Sequence, residues 1–305
     1  MKFVSFSSRA TAVAGAFALA ACSCGCGGST SAQTQAFASV ANPATETRTT
    51  PTQSTEEPVL LAGVAETSTT EGAPPTKAAG DWGNLSGQFI LDGDIPAADE
   101  VENIKEPICS AKVLTDELVV NKDNKGIVNV FVYIPALKKP KVHPDLAKST
   151  EKGVVLDQKD CRFMPHGQVM RTDQILMVKS MDNCLHSTRP SPIKNNPVNF
   201  TVPANSREGL PWKVTVAENL PTQIKCDIHP WMSSYCLVLD HPYGVVTDKD
   251  GKFKIEKLPA GELEFRYWHE RPGYVEKSVK ITIEAGKTKD LGTIKVPVAK
   301  FAKAS

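Results

Sequence analysis

The sequence predicts an all-β protein built from sandwiches of short strands. Beyond residue 80, apolar segments rich in β-branched and aromatic side chains are separated by Gly, Pro, Asn and Asp, a pattern typical of β-sandwiches. No convincing amphipathic stretch exceeds two helical turns, and strands do not alternate with helices. These two observations argue against an α/β fold.

The predicted strands follow one another from residue 81 onward. We expect folded structure to begin near Asp81, because all four Trp and all six His lie beyond it. Representative strands are 87–91, 127–134, 175–179, 198–202 and 235–239. Residues 82–140 are expected to supply the first strands of a domain at 81–240, with insertions or a small subdomain as the alternative.

Composition and charge exclude several classes of function. The 305 residues carry 35 Lys and Arg against 34 Asp and Glu, a net charge of +1. Without a basic excess, we expect no nucleic-acid partner. The sequence has neither a glycine-rich phosphate loop nor a nucleophile elbow, and we expect no small-molecule substrate. Six His are too few for a multicopper oxidase, which needs roughly ten.

The N-terminal region predicts export and a lipid anchor. Lys2 and Arg9 precede the apolar run 10–21, which is typical of a secretory signal peptide and too short to span a bilayer as a mature helix. The run ends in Leu-Ala-Ala-Cys22, which resembles the lipobox of bacterial lipoproteins. We expect a signal peptide at 1–22 and acylation of Cys22. The alternative is an ordinary signal peptide cut at a nearby Ala.

Residues 23–80 predict a disordered linker. Of these 58 residues, 18 are Ser or Thr and one, Phe37, is aromatic. Such a segment cannot bury enough apolar surface to offset the entropy of ordering. We therefore expect a flexible tether between the lipid anchor and the folded domains.

One short segment combines the residues of a copper site. Cys226, His229 and Met232 follow one another at intervals of three residues, so one loop between two strands can bring them to one ion. Sulfur ligands with imidazole suit copper, and a His₂Cys plane with a weak axial Met is the blue-copper arrangement. The candidate for the second His is His186, near the end of the strand 175–179.

This Cys-x-x-His-Pro-x-Met loop resembles that of amicyanin, a type 1 copper protein (cupredoxin). The resemblance implies a cupredoxin-like Greek-key sandwich with one copper, held equatorially by His186, Cys226 and His229 and axially by Met232. Cupredoxins usually carry Asn where this chain has Ser180 and Ser187, which changes the outer hydrogen bonds. Two alternatives are a zinc site, for which Met is a poor ligand, and a sandwich without metal.

Five cysteines lie beyond residue 80, and an odd number is informative in an exported protein. If Cys226 binds copper, four remain for two disulfides. The favoured pairing is Cys109–Cys161 with Cys184–Cys236, although sequence alone cannot fix it. The competing pair Cys184–Cys226 would destroy the metal site.

The C-terminal segment 241–305 predicts a second, small β-sandwich. Its strands are separated by an Asp-Gly turn and a Pro-Ala-Gly turn, and it resembles the carboxypeptidase regulatory-like (transthyretin-type) domain. His241 and His269 flank this module and are interpreted as hydrogen-bonding residues at the domain junction. His166 is a candidate for an additional metal site or an outer-shell position, with a structural role as the alternative.

Together these features predict an exported copper protein that carries out one-electron transfer at the cell envelope. We expect a lipid anchor in the outer membrane facing the periplasm, and a redox protein as partner. Four protein ligands leave no open position for a substrate, so we do not expect an enzyme. Electrons are expected to leave through a solvent-facing edge of His229 beside Trp231. The alternative function is a copper-free structural or interaction module.

Overall fold

The computed structural model describes residues 81–101, 104, 108–109 and 113–302. The predicted signal peptide, the acylated Cys22 and the linker at 23–80 lie outside these residues. The described chain is all-β, as predicted, and its helices are three single 3₁₀ turns, Ala136–Lys138, Pro144–Leu146 and Val298–Phe301. Among the described residues, no helix has the length and apolar character needed to cross a bilayer.

The described residues form sixteen strands. They are β1 (Trp82–Asp92), β2 (Phe131–Tyr133), β3 (Gly153–Lys159), β4 (Arg162–Met164), β5 (Gly167–Arg171), β6 (Ile175–Val178), β7 (His186–Ser191), β8 (Phe200–Val202), β9 (Leu210–Lys213), β10 (Thr222–Lys225), β11 (Ser233–Leu239), β12 (Gly244–Val246), β13 (Lys252–Pro259), β14 (Gly261–His269), β15 (Gly273–Ile283) and β16 (Thr288–Pro297).

A first sandwich spans residues 153–239. One sheet has the strand order β5-β11-β10-β7-β8 and the other β4-β3-β6-β9. Burial alternates along β6, where Leu176 and Val178 are fully buried and their neighbours are half-buried, as expected for a strand with one covered face. Leu156, Trp212 and Ile224 belong to the same core. This core supports the loops at the end of β10 and at the start of β7.

A second sandwich is built from both ends of the described chain. Its sheets have the strand orders β13-β1-β16 and β12-β2-β14-β15. β1 runs antiparallel to β13 and parallel to β16. The core includes Leu85 and Phe89 of β1, Ile255 of β13 and Phe265 of β14. The β12–β13 turn ends at Gly251, whose φ is +74° and where a Cβ would lie 2.3 Å from the Phe89 carbonyl oxygen, so only glycine fits there.

The boundary between the sandwiches differs from the sequence-based assignment of 81–240 and 241–305. β1 and β2 pair with strands that follow residue 240, not with those of the first sandwich. The physical reason is that the apolar side of β1 packs into the core of the C-terminal strands. The first sandwich is therefore an insertion within the second.

A third apolar cluster joins the two sandwiches. It combines residues of β2, the first 3₁₀ turn and β14 with residues of β11 and the loop before β10, namely Phe131, Tyr133, Ala136, Ala217, Leu237, Leu239 and Trp268. His241 and His269 are buried near the ends of β11 and β14. In each, ring Nδ1 accepts a hydrogen bond from the backbone N–H two residues later. Burial lowers the pKa of His241 to about 4 and that of His269 to about 3.

Candidate metal centre

The predicted ligands lie at one end of the first sandwich. His186 is the first residue of β7, and Cys226 directly follows β10. His229 and Met232 lie in the loop that connects β10 with β11. Because β10 pairs with both β7 and β11, the two ligand-bearing segments are neighbours. The sandwich thus brings together residues 40 or more positions apart in the sequence.

Three donor atoms converge at this end. His186 Nδ1 lies 2.9 Å from His229 Nδ1, and Cys226 Sγ lies 3.7 Å from His229 Nδ1. One ligand atom from each of the three residues falls within 4.8 Å of the other two. The exposed fractions of His186, Cys226 and His229 are 0 %, 2 % and 1 %. The geometry fits one ion held by two imidazoles and one thiolate.

The loop 226–232 is closed on itself. The Met232 N–H donates to the His229 carbonyl at 2.9 Å, and the Cys226 N–H donates to the Met232 carbonyl at 3.2 Å. Met232 is 2 % exposed and belongs to the same apolar cluster as Cys226. The loop that carries Cys226 and His229 therefore also buries the Met232 side chain in the core of the first sandwich.

The surroundings of Cys226 favour a thiolate. Burial alone would raise the pKa of this thiol, but hydrogen bonds from His186 and from the backbone N–H groups of Ser187 and His229 lower it overall. The two N–H groups lie 3.3 Å and 3.4 Å from Sγ. Metal binding requires the deprotonated thiol, and the fold supplies donors to that form.

Asp182 orients His186 and was missed by the sequence analysis. Its Oδ2 lies 2.9 Å from His186 Nε2 and also accepts the Cys161 N–H. A proton on Nε2 leaves Nδ1 to face Cys226 and His229, the arrangement of a carboxylate–histidine–metal triad. Burial opposes protonation of His186, but its hydrogen bonds with Cys226 and Asp182 outweigh this and raise its pKa.

The two serines that depart from the cupredoxin pattern both brace the site. Ser187 Oγ accepts the Asp227 N–H at 2.7 Å, while the Ser187 N–H points at Cys226 Sγ. Ser180 Oγ accepts the Asp182 N–H at 3.2 Å. These hydroxyl groups therefore tie β7 to the loop after β10 and hold the carboxylate of Asp182 in place.

Of the two expected disulfides, the structure forms one. Cys109 and Cys161 are bonded to each other, whereas Cys184 and Cys236 are not joined. Cys236 lies inside β11 between two paired strands, and burial raises its pKa to about 12. Cys184 instead lies 3.4 Å from His186 Nε2. The competing Cys184–Cys226 bond is not formed either.

The solvent-facing edge expected for His229 is not found. The ring is 1 % exposed, because Cys109 and Cys161 place their sulfur atoms within 4.8 Å of a His229 ring nitrogen. Trp231 packs beside it, with ring centroids 5.2 Å apart. The prediction that the His229 ring reaches solvent is therefore wrong.

His166 lies away from the donor set. Its Nε2 pairs with the Glu270 carboxylate, and the two side chains are 9 % and 8 % exposed. His166 belongs to none of the metal-ligand groups found among the described residues. Because Glu270 directly follows β14, this ion pair links the two sandwiches. It is thus a structural contact and does not extend the candidate metal centre.

Comparison with known proteins gives structural similarities only. No protein-family model matches the chain, and no curated protein matches it in sequence. Among solved structures, the copper-containing nitrite reductase from Thermus scotoductus SA-01 has 17 % identity and a TM-score of 0.26 over 34 % of this chain. The match spans 26 % of the reductase chain. A reduced amicyanin with a Trp-to-Tyr mutation has 15 % identity and a TM-score of 0.25, covering 35 % of this chain and 97 % of its own.

Proposed function

We propose that the first sandwich is a cupredoxin-like domain with one type 1 copper, held by His186, Cys226, His229 and Met232, and that the protein carries single electrons. The observation that carries this proposal is the convergence of three buried donor atoms, one cysteine sulfur and two imidazole nitrogens, within 4.8 Å. Bound copper supplies a one-electron couple, Cu(II)/Cu(I), that the protein alone lacks.

The chain's own contribution is rigidity and exclusion of water. Two backbone hydrogen bonds close the loop 226–232, Asp182 fixes the ring of His186, and two N–H groups hold the thiolate of Cys226. A donor set fixed before binding reorganises little when its charge changes, which favours fast electron exchange. The burial of all four residues supports transfer through the protein and not chemistry on a bound substrate.

We further propose that the protein is exported and anchored at the cell envelope through acylated Cys22, where it meets a redox protein. Support comes from the Leu-Ala-Ala-Cys motif after an apolar run. Fractionation of a Cys22→Ala variant tests the anchor. The variant should leave the membrane fraction, and an unchanged membrane-bound fraction would contradict the proposal.

The decisive experiment for copper uses matched cysteine variants of the full chain. The parent protein, loaded with copper under oxidising conditions, should bind one equivalent and show intense thiolate-to-copper absorption. Cys226→Ala should lose this absorption, whereas Cys236→Ala, which removes another buried thiol, should keep it. Met232→Gln should retain copper with a shifted potential, because the axial ligand tunes the site.

Two results would overturn the proposal. One is a parent protein that stays colourless and free of copper after loading. The other is a disulfide mapped to Cys226, which would leave a sandwich without the thiolate ligand and favour a structural role for the domain.

A further inference from the structure

We propose that electrons leave the site through Trp231, and that the Cys109–Cys161 disulfide closes the direct route through His229. This inference rests on the proposed function. With copper bound, the step would move a single electron from the metal to an external acceptor; no bond would form or break, no proton would move, and Trp231 would be unaltered. Two features carry the inference: the cover over His229 and the position of the indole beside it.

The first feature is the Cys109–Cys161 disulfide, which covers the ring of His229. His229 is 1 % exposed, and both sulfur atoms of the disulfide lie within 4.8 Å of one of its ring nitrogens. Cys109 and Cys161 are themselves 1 % exposed. No acceptor can therefore touch the imidazole edge while this bond is intact. Tunnelling rates fall steeply with distance, so an exit closer to the surface is required.

The second feature is the indole. The ring of Trp231 lies 5.2 Å from that of His229, measured between centroids. Its Nε1 donates to the Cys161 carbonyl at 3.2 Å, which fixes the orientation of the ring. Trp231 is half-buried, so one part contacts the copper ligand and another reaches the surface. An aromatic ring in this position shortens the gap between the copper ligand and solvent.

Trp231 opens onto a cleft of about 480 Å³. The lining includes Pro230, Tyr235 and four charged residues, Lys225, Arg271, Glu117 and Glu270. Arg271 pairs with Glu117, and Glu270 pairs with His166. Because the lining holds two acidic and two basic side chains, the cleft favours neither anionic nor cationic redox partners. We therefore expect transfer rates that depend weakly on salt.

The first test compares two tryptophan variants of the copper-loaded chain. Trp231→Leu should retain the visible spectrum but slow exchange at least tenfold with both ferricyanide and a ruthenium hexaammine complex. Trp82→Leu, in the second sandwich, should exchange like the parent. If Trp231→Leu keeps both its spectrum and its rate, Trp231 is not the exit.

The second test needs no metal. In the metal-free full chain, diethyl pyrocarbonate should leave His229 unmodified in the native state and modify it in urea, as read by peptide mass spectrometry. A Cys109→Ser and Cys161→Ser double variant should expose His229 while His186 stays protected. If His229 of the native parent reacts as in urea, the cover does not exist.

The double variant must be checked for folding by circular dichroism. If it does not fold, the labelling of the native parent and the Trp231→Leu rates still decide the matter. A protein that binds no copper would refute the proposed function. A blue parent protein whose electron-exchange rate is unchanged by Trp231→Leu would refute only the exit through Trp231.

Discussion

The substitution Asp182→Asn tests the contact that orients His186, one of the proposed copper ligands. In the parent, Asp182 Oδ1 accepts the Asp160 N–H at 2.7 Å, and Oδ2 accepts both the Cys161 N–H and the His186 ring N–H at 2.9 Å. Asparagine keeps one acceptor oxygen and replaces the other by an NH₂ group. In either orientation of the amide, at least one of these donors then faces another donor.

The expected loss follows from these three contacts. Hydrogen bonds to a charged group contribute about 1.5–3 kcal/mol each, and loss of an outer-shell partner typically lowers metal affinity about 10- to 100-fold. Even when the amide oxygen takes the Oδ2 position and keeps the contact to His186, a neutral acceptor holds the imidazole more weakly than a carboxylate does, and the Asp160 N–H loses its acceptor. We therefore expect copper to bind Asp182→Asn about 10- to 100-fold more weakly, or about 1.4–2.7 kcal/mol.

Competition with a chelator of known affinity measures this change, with the visible spectrum as a second readout. The matched control is Asp173→Asn in the turn between β5 and β6, which alters a carboxylate that also accepts a backbone N–H, from Ser149. An Asp182→Asn protein that binds copper as tightly as the parent would refute the orienting role.

Three further predictions concern stability. Burial lowers the pKa of His269 to about 3. Between pH 6.5 and pH 3, His269 therefore binds a proton in the unfolded chain but not in the folded one. The free energy of unfolding then falls by up to about 1.4 kcal/mol for each pH unit of acidification. Glu270→Gln should cost about 3 kcal/mol, because it leaves buried His166 without its carboxylate. Replacing Cys109 and Cys161 by Ser should cost about 4 kcal/mol, since their bond spans 52 residues.

Urea unfolding, followed by fluorescence, checks all three. His269→Gln should reduce the pH dependence between pH 6 and pH 4, and an unchanged slope would contradict the linkage. For Glu270, the control is exposed Glu262→Gln, which should cost less than about 1 kcal/mol. For the disulfide, a double variant as stable as the oxidised parent would show that the cross-link does not stabilise the fold.

The local part of the site could be predicted from sequence spacing. Cys226, His229 and Met232 are held by one seven-residue segment, so their order alone indicates a shared loop. His186 could be placed because strand ends of one sandwich lie together. Asp182 could not be recognised, because a carboxylate four residues before a His in an irregular segment has no characteristic pattern. Its partners, the Asp160 and Cys161 N–H groups, belong to a different turn.

The long-range part of the fold was beyond sequence reasoning for a different reason. Strand signals in β1 indicate that it pairs but not with which partner, because apolar alternation is alike in every sandwich strand. The cover over His229 depends on Cys109, more than one hundred positions earlier. The exposure of His229 was mistaken because it was inferred from the position of its loop at the end of the sandwich, and spacing does not show that the Cys109–Cys161 bond lies over the ring.

The insertion of one sandwich into another sets an order of folding along the chain. β1 pairs with β13 and with β16, and Asn84 bonds to Thr288, 204 residues later, so neither sheet partner of β1 exists until residues beyond 250 have been synthesised. The inserted sandwich contains all of its own strands and can form earlier. Contacts between such distant segments close slowly. In a nascent chain, the first sandwich can therefore be folded while β1 is still unpaired and exposes an aggregation-prone edge.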